Sequence, residues 1–176
     1  MEKKAVVWVS TVLYVLIGLA IMASLLAIIR PEIARLKDKF TIDQTVQSLN
    51  TLDDAILRAR EAPGMKLNYR IRLDKGNLVI DGKNNIIYWQ ANSNYYYGGA
   101  NKTIEVGKIK VFSTPYTNLW NTTLTLDYTG YNINMTVNDK SEPPKTLTPA
   151  GLPYSIWIEN KGLQASGMQQ IDFTVE

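Results

Sequence analysis

The chain has 176 residues, enough for one domain of ordinary size and an additional segment. Its 19 Lys and Arg residues and 16 Asp and Glu residues give a formal net charge of +3, and the basic residues are dispersed, which argues against nucleic acid as a partner. Cysteine and histidine are absent, which removes disulfides, thiolate metal sites and the commonest catalytic acid and base. The composition therefore predicts a protein that is not an enzyme and that has no metal site and no cofactor.

A long apolar run follows the first four residues. Residues 5–29 contain no charged side chain, and about 20 such residues are enough to cross a bilayer as a helix. The run is longer than the apolar part of a conventional secretory signal peptide. A helix that is apolar on every face could be buried in a soluble protein only if that protein were larger than this one. The run therefore predicts a membrane-inserted helix.

A second helical pattern begins after Pro31 and ends before Pro63-Gly64. Apolar residues recur in it at intervals near three and four, which is typical of a helix with one apolar face. We predict one long helix over residues 6–62, apolar on all faces over 6–29 and amphipathic over 31–62, with a kink at Pro31. The apolar positions of the second half are Ile33, Leu36, Phe40, Ile42, Val46, Leu49, Leu52, Ile56 and Ala59.

From Met65 onward the pattern changes to alternation with a period of two, which is typical of strands. Roughly eight short strands, separated by turn residues, predict an antiparallel β-sandwich or barrel in a β-rich outer domain over residues 65–176. The predicted fold class is α+β, a long N-terminal hydrophobic helix followed by an antiparallel β-sandwich head. Strands are predicted over residues 66–73, 78–80, 86–89, 103–106, 108–112, 122–128, 131–137, 154–159 and 170–175.

Three Asn-X-Thr sequons for N-glycosylation begin at Asn101, Asn121 and Asn134. All three sequons lie in the β-rich part. They favour an outer C-terminal domain with a short cytoplasmic N-terminus, whereas the charges on both sides of the apolar run do not settle its orientation. The alternative is that Asn and Thr are simply frequent in the turns and strands of this chain.

Three consecutive tyrosines, Tyr95, Tyr96 and Tyr97, precede Gly98-Gly99. Amphipathic rings beside flexible residues could form a loop tip that contacts a surface, a sugar or a neighbouring subunit. The alternative is an edge strand, in which two rings face one way and one faces the other.

The segment Lys4-Ala5-Val6, followed at once by the apolar run, resembles the processing region of archaeal type IV pilins and archaellins. In that family a membrane peptidase cuts after a small residue that follows a basic one, so the resemblance implies a leader peptide of residues 1–5 and cleavage between Ala5 and Val6. A long helix interrupted near a proline and followed by a β-rich head is also similar to the family's architecture. Two positions depart from the pattern: Ala5 replaces the commoner Gly, and Ser10 stands where many bacterial pilins have Glu.

The resemblance implies a structural subunit of an extracellular type IV pilus-like filament at the cell surface, used for adhesion, surface attachment or swimming. The implied partners are copies of the chain in a helical filament, the membrane before assembly, and the leader peptidase and assembly machinery. The competing hypothesis is a single-pass membrane-anchored extracellular binding module. A third possibility is a minor pilin that primes or caps filaments.

Overall fold

The computed structural model describes the backbone of residues 2–99 and 101–176 and the side chains of residues 11–99 and 101–176. In the described residues one helix, α1 (Glu2–Glu61), precedes ten strands. The chain divides into two compact units, Met1–Lys37 and Asp38–Glu176. The strands are β1 (Lys66–Ile71), β2 (Asn77–Asp81), β3 (Ile86–Ser93), β4 (Thr103–Val106), β5 (Ile109–Tyr116), β6 (Leu119–Asp127), β7 (Ile133–Val137), β8 (Lys145–Leu147), β9 (Tyr154–Leu163) and β10 (Gln169–Val175).

In the first unit, Met1–Lys37, the described residues from Glu2 onward form the N-terminal part of α1. Its large apolar side chains between Val12 and Ile29 are 46% to 73% exposed, on every side of the helix. Among the described residues, α1 is the helix that is long and apolar enough to cross a membrane. Pro31 lies inside α1, which continues on both sides of it, and a kink at this residue stays a prediction.

The second unit, Asp38–Glu176, has one hydrophobic core, to which α1 and both β-sheets contribute. The α1 side chains in this core recur at intervals of three and four, because that spacing returns to the same helix face. They are Ile42, Val46, Leu49, Leu52, Ile56 and Ala59. At the C-terminus of α1 the Asn160 Nδ2 donates to the Ala59 carbonyl oxygen at 2.9 Å, and Gly64, with φ of 81°, follows in the left-handed region.

The strands form two sheets. The four-stranded sheet has the order β1-β9-β10-β7, and the six-stranded sheet has the order β4-β5-β6-β3-β2-β8. Neighbouring strands are antiparallel except for β7 and β10, which pair in parallel. The α+β class is therefore confirmed. The prediction that the head is antiparallel is wrong for the pair of β7 and β10.

Alternation along the strands supplies the sheet side of the core. In β6, Thr122, Leu124 and Leu126 are buried while the residues between them are partly exposed, because successive side chains point to opposite faces. Trp89 of β3 is 1% exposed, and its Nε1 donates to the Lys75 carbonyl oxygen at 2.9 Å, which satisfies the indole inside an apolar environment.

Candidate functional site

The most extensive chemical feature of the described surface is the apolar side of α1. It continues beyond the uncharged run, because Ile33, Leu36 and Phe40 are 58%, 66% and 69% exposed. Their spacing of three and four residues places them along one side of a helix. We call these three residues the distal stripe.

Within the second unit, exposed Phe40 and the buried residues of α1 lie on different sides of the helix. The sequence predicted a single apolar face from Ile33 to Ala59, but Phe40 is exposed while Ile42, two residues later, is 1% exposed. Two residues correspond to about 200° of rotation, so these two side chains point in nearly opposite directions. The prediction of one apolar face is therefore wrong, and the helix has two.

Asp38 is the first residue of the second unit and is only 6% exposed. Its carboxylate accepts hydrogen bonds from Lys75 Nζ, from the Asn94 backbone N–H at 2.6 Å and from Asn94 Nδ2 at 2.8 Å. Burial on its own raises the pKa of Asp38, but the bonds from Lys75 and Asn94 outweigh it, so the pKa is lowered. The ionised carboxylate therefore fastens α1 to two loops of the β-rich part.

Asp53 makes a second attachment, about four turns further along the helix. It is 5% exposed, accepts from the Tyr128 hydroxyl at 2.8 Å and lies 3.2 Å from Lys108 Nζ. Burial, and then the charge of Asp53, raise the pKa of the Tyr128 phenol. The phenol therefore keeps its proton and donates a hydrogen bond to the carboxylate. Polar contacts from two separate segments thus hold this side of α1 in place.

A cavity of about 320 Å³ opens beside Asp53 and Lys108. Its other charged walls include Lys110 and Asp127, which form an ion pair at 2.9 Å. Hydrogen bonds from Thr129 and Lys110 lower the pKa of Asp127 to about 2. These charges are engaged with one another, and within the described part of the chain no three acidic, His or Cys side chains are placed to hold a metal ion.

The three consecutive tyrosines lie in the loop that follows β3, outside the strands, and each is half-buried. The Tyr95 and Tyr97 rings meet edge to face with centroids 6.1 Å apart, and the Tyr96 ring lies 4.6 Å from the Trp120 ring. Tyr95 and Tyr97 also pack against the hydrophobic core. Their rings are therefore partly used to hold this loop on the domain.

The three sequons lie in three different environments. Asn101 is exposed in the turn before β4, Asn121 is partly buried within β6, and Asn134 is partly buried within β7. The predicted cleavage site, Lys4, Ala5 and Val6, involves side chains outside those that the structure describes, so processing stays a prediction.

Sequence reasoning missed Asp38 and Asp53 as attachment residues. A signal was present, because Asp38 precedes Ile42 by four residues and Asp53 follows Leu49 by four, so both carboxylates lie on the buried side of the helix. Similarity to known proteins adds nothing to this site: no protein-family model, curated protein or solved structure matches the chain.

Proposed function

We propose that this chain is a structural subunit of an extracellular type IV pilus-like filament, with α1 as its assembly element and the β-rich part as an outer β-sandwich head. The observation that carries the proposal is the length of the exposed apolar surface of α1. The proposed role of the protein is mechanical, in adhesion or surface attachment, rather than catalytic.

A bilayer is too thin to cover that surface. Phe40 follows Val12 by 28 residues, or about 42 Å of helix at about 1.5 Å per residue. The hydrocarbon core of a bilayer is about 30 Å thick. A lone membrane anchor therefore leaves either one end of the run or the distal stripe in water, whereas neighbouring copies of α1 can cover the whole length.

The attachment of α1 supports the same function. Asp38 and Asp53 fix one side of the helix to the β-rich part, and Phe40, nearly opposite to Ile42, stays available for a neighbour. When each subunit is related to the next by a rotation that does not close into a ring, repetition of such a contact generates an open helical filament. Lipid covers the uncharged run before assembly, and identical helices cover it afterwards.

The proposal is tested on the protein from the organism that makes it. Material sheared from the cell surface is imaged by electron microscopy, and its subunit is weighed by mass spectrometry. We expect filaments whose subunit lacks Met1–Ala5. A chain that remains in the membrane with an intact N-terminus, and is absent from sheared filaments, would support the single-pass anchor instead.

A further inference from the structure

We propose that Asn101 is the N-glycosylation site of this chain and that the sequons at Asn121 and Asn134 stay unmodified, because in the folded domain only the Asn101 sequon has its side chains free of the sheet. The inference rests on the outer location of the β-rich part in the proposed function. It does not depend on filament formation.

The chemistry sets two requirements. The Nδ2 atom of Asn forms a bond to C1 of a sugar as the C1–O bond of a lipid-linked glycosyl phosphate breaks, and the phosphate leaves with the electron pair while Nδ2 loses one proton. Nδ2 must therefore reach the transferase, and the Thr of the sequon must be reachable with it. In a folded domain a sequon meets both requirements in an exposed turn, and fails where its side chains are bonded inside a sheet.

Asn101 meets both requirements. It is exposed, as are Lys102 and Thr103, so all three residues of this sequon face solvent. The backbone at Asn101 has φ of 54°, in the left-handed region that Asn tolerates better than most residues. Its N–H donates to the Ser113 carbonyl oxygen at 3.1 Å, which holds the turn while the side chain remains outside the sheet.

Asn121 fails the first requirement. It lies in β6, which has a strand on each side, and pairs with Asn92 and Thr114. Its Nδ2 donates to Asn92 Oδ1 at 3.0 Å, and its Oδ1 accepts from Gln90 Nε2 at 2.7 Å. These bonds lie on the outward side of the sheet, and a transferase would have to break them before Nδ2 could react.

Asn134 fails both requirements. Its Nδ2 donates to Gln164 Oε1 at 2.9 Å. Thr136, the last residue of this sequon, is 3% exposed, and its hydroxyl donates to Asp172 Oδ1 at 2.6 Å. Since Asp172 is also buried, exposing Thr136 would leave a carboxylate without this donor, which is costly inside a protein.

Cleavage after glutamate separates the sites. The fragment of residues 62–105 contains only the Asn101 sequon. The fragment of residues 106–159 contains the other two, because the protease does not cleave between Glu142 and Pro143. Mass spectrometry of the full-length protein from its own organism should find a glycan on the first fragment and the unmodified mass for the second. A glycan on the second fragment, or no glycan on either, would overturn the inference.

Two substitutions at one position supply a matched comparison. Thr103→Ala removes the sequon and Thr103→Ser keeps it, and both leave Asn101 and its left-handed backbone unchanged. We expect complete loss of the glycan mass in the Ala variant and retention in the Ser variant, whereas Asn134→Gln should leave the glycan mass unchanged. A glycan that persists in the Ala variant would contradict the assignment.

A protease added to intact cells separates this inference from the proposed function. If the β-rich part is cleaved from outside and carries no glycan, the site assignment is wrong while the outer location stands. If Asn101 is glycosylated but sheared material contains no filaments of this chain, the site assignment stands and the filament proposal fails.

Discussion

Replacing Asp38 by Asn should destabilise the β-rich part together with its helix. The carboxylate accepts three hydrogen bonds, and a hydrogen bond to a charged group contributes about 1.5–3 kcal/mol. Two facts reduce the loss: the Asn oxygen can still accept one bond, and the Lys75 side chain, 38% exposed, can return to water. We therefore expect a loss of about 2–3 kcal/mol in the free energy of unfolding.

The measurement uses a fragment of residues 32–176, which begins after the apolar run and keeps Asp38 inside the chain. Urea unfolding followed by circular dichroism should show a midpoint lower by about 1–2 M, since a protein of this size loses about 1–3 kcal/mol of stability per molar urea. Asp54→Asn is the matched control, because Asp54 is an exposed acidic residue of the same helix, and it should change stability by less than about 0.5 kcal/mol. Equal losses in the two variants would refute the role given to Asp38.

The same pair of proteins gives a pH test. The pKa of Asp38 is lowered from its ordinary value of 3.8, so the folded state binds this proton less readily than the unfolded state. The stability supplied by ionised Asp38 is therefore fully present above about pH 4 and is lost as the pH falls toward the folded-state pKa. The stability difference between the unsubstituted fragment and the Asp38→Asn variant should shrink over that range, and a difference that grows on acidification would contradict the sign.

Three other substitutions test separate parts of the fold, and a fourth tests processing. In the fragment, Leu49→Ala should cost about 2–5 kcal/mol, because Leu49 is fully buried. Phe40→Ala should cost less than about 0.5 kcal/mol in the fragment but should reduce the yield of filaments from the full chain. If Phe40→Ala destabilised the fragment as much as Leu49→Ala does, the assignment of Phe40 to the exposed side of the helix would be contradicted. Tyr128→Phe should cost about 1–3 kcal/mol of stability. The same substitution should cost less in an Asp53→Ala background, because the hydroxyl then has no carboxylate to bond. An equal cost in both backgrounds would argue against the hydrogen bond between Tyr128 and Asp53. Ala5→Leu should leave residues 1–5 attached whereas Ala5→Gly should not, and loss of the leader from both variants by mass would remove the processing argument.

Local patterns predicted most elements of the fold. The helix ends at Glu61 because Pro63-Gly64 cannot continue it, and β4 has the predicted bounds Thr103–Val106. The three-residue strand β8, Lys145–Leu147, was missed, since it follows two prolines and is defined mainly by pairing with β2. The parallel pairing of β7 with β10 was also missed, because sequence periodicity carries no information about which distant strands meet.

The candidate functional surface was predictable only in part. The uncharged run was evident from composition. The two-residue spacing of Phe40 and Ile42 already places them on opposite sides of a helix, but only the structure shows which side is buried. The partners of Asp38 lie 37 and 56 residues further along the chain, so no local pattern could reveal that attachment.

The central claim, that α1 packs among copies of itself, is tested most directly by the incorporation of Leu19→Lys into filaments. In a dry filament core the new charge would be buried without a partner, which costs several kcal/mol, whereas a single charge in a membrane helix costs about 2.5–3.5 kcal/mol and a long apolar run tolerates it. Leu19→Met, which keeps the volume and the apolar character, is the control. The account predicts that the Lys variant reaches the membrane with its β-rich part outside but is absent from sheared filaments, while the Met variant is present in both. Filaments of normal length that contain the Lys variant would contradict it.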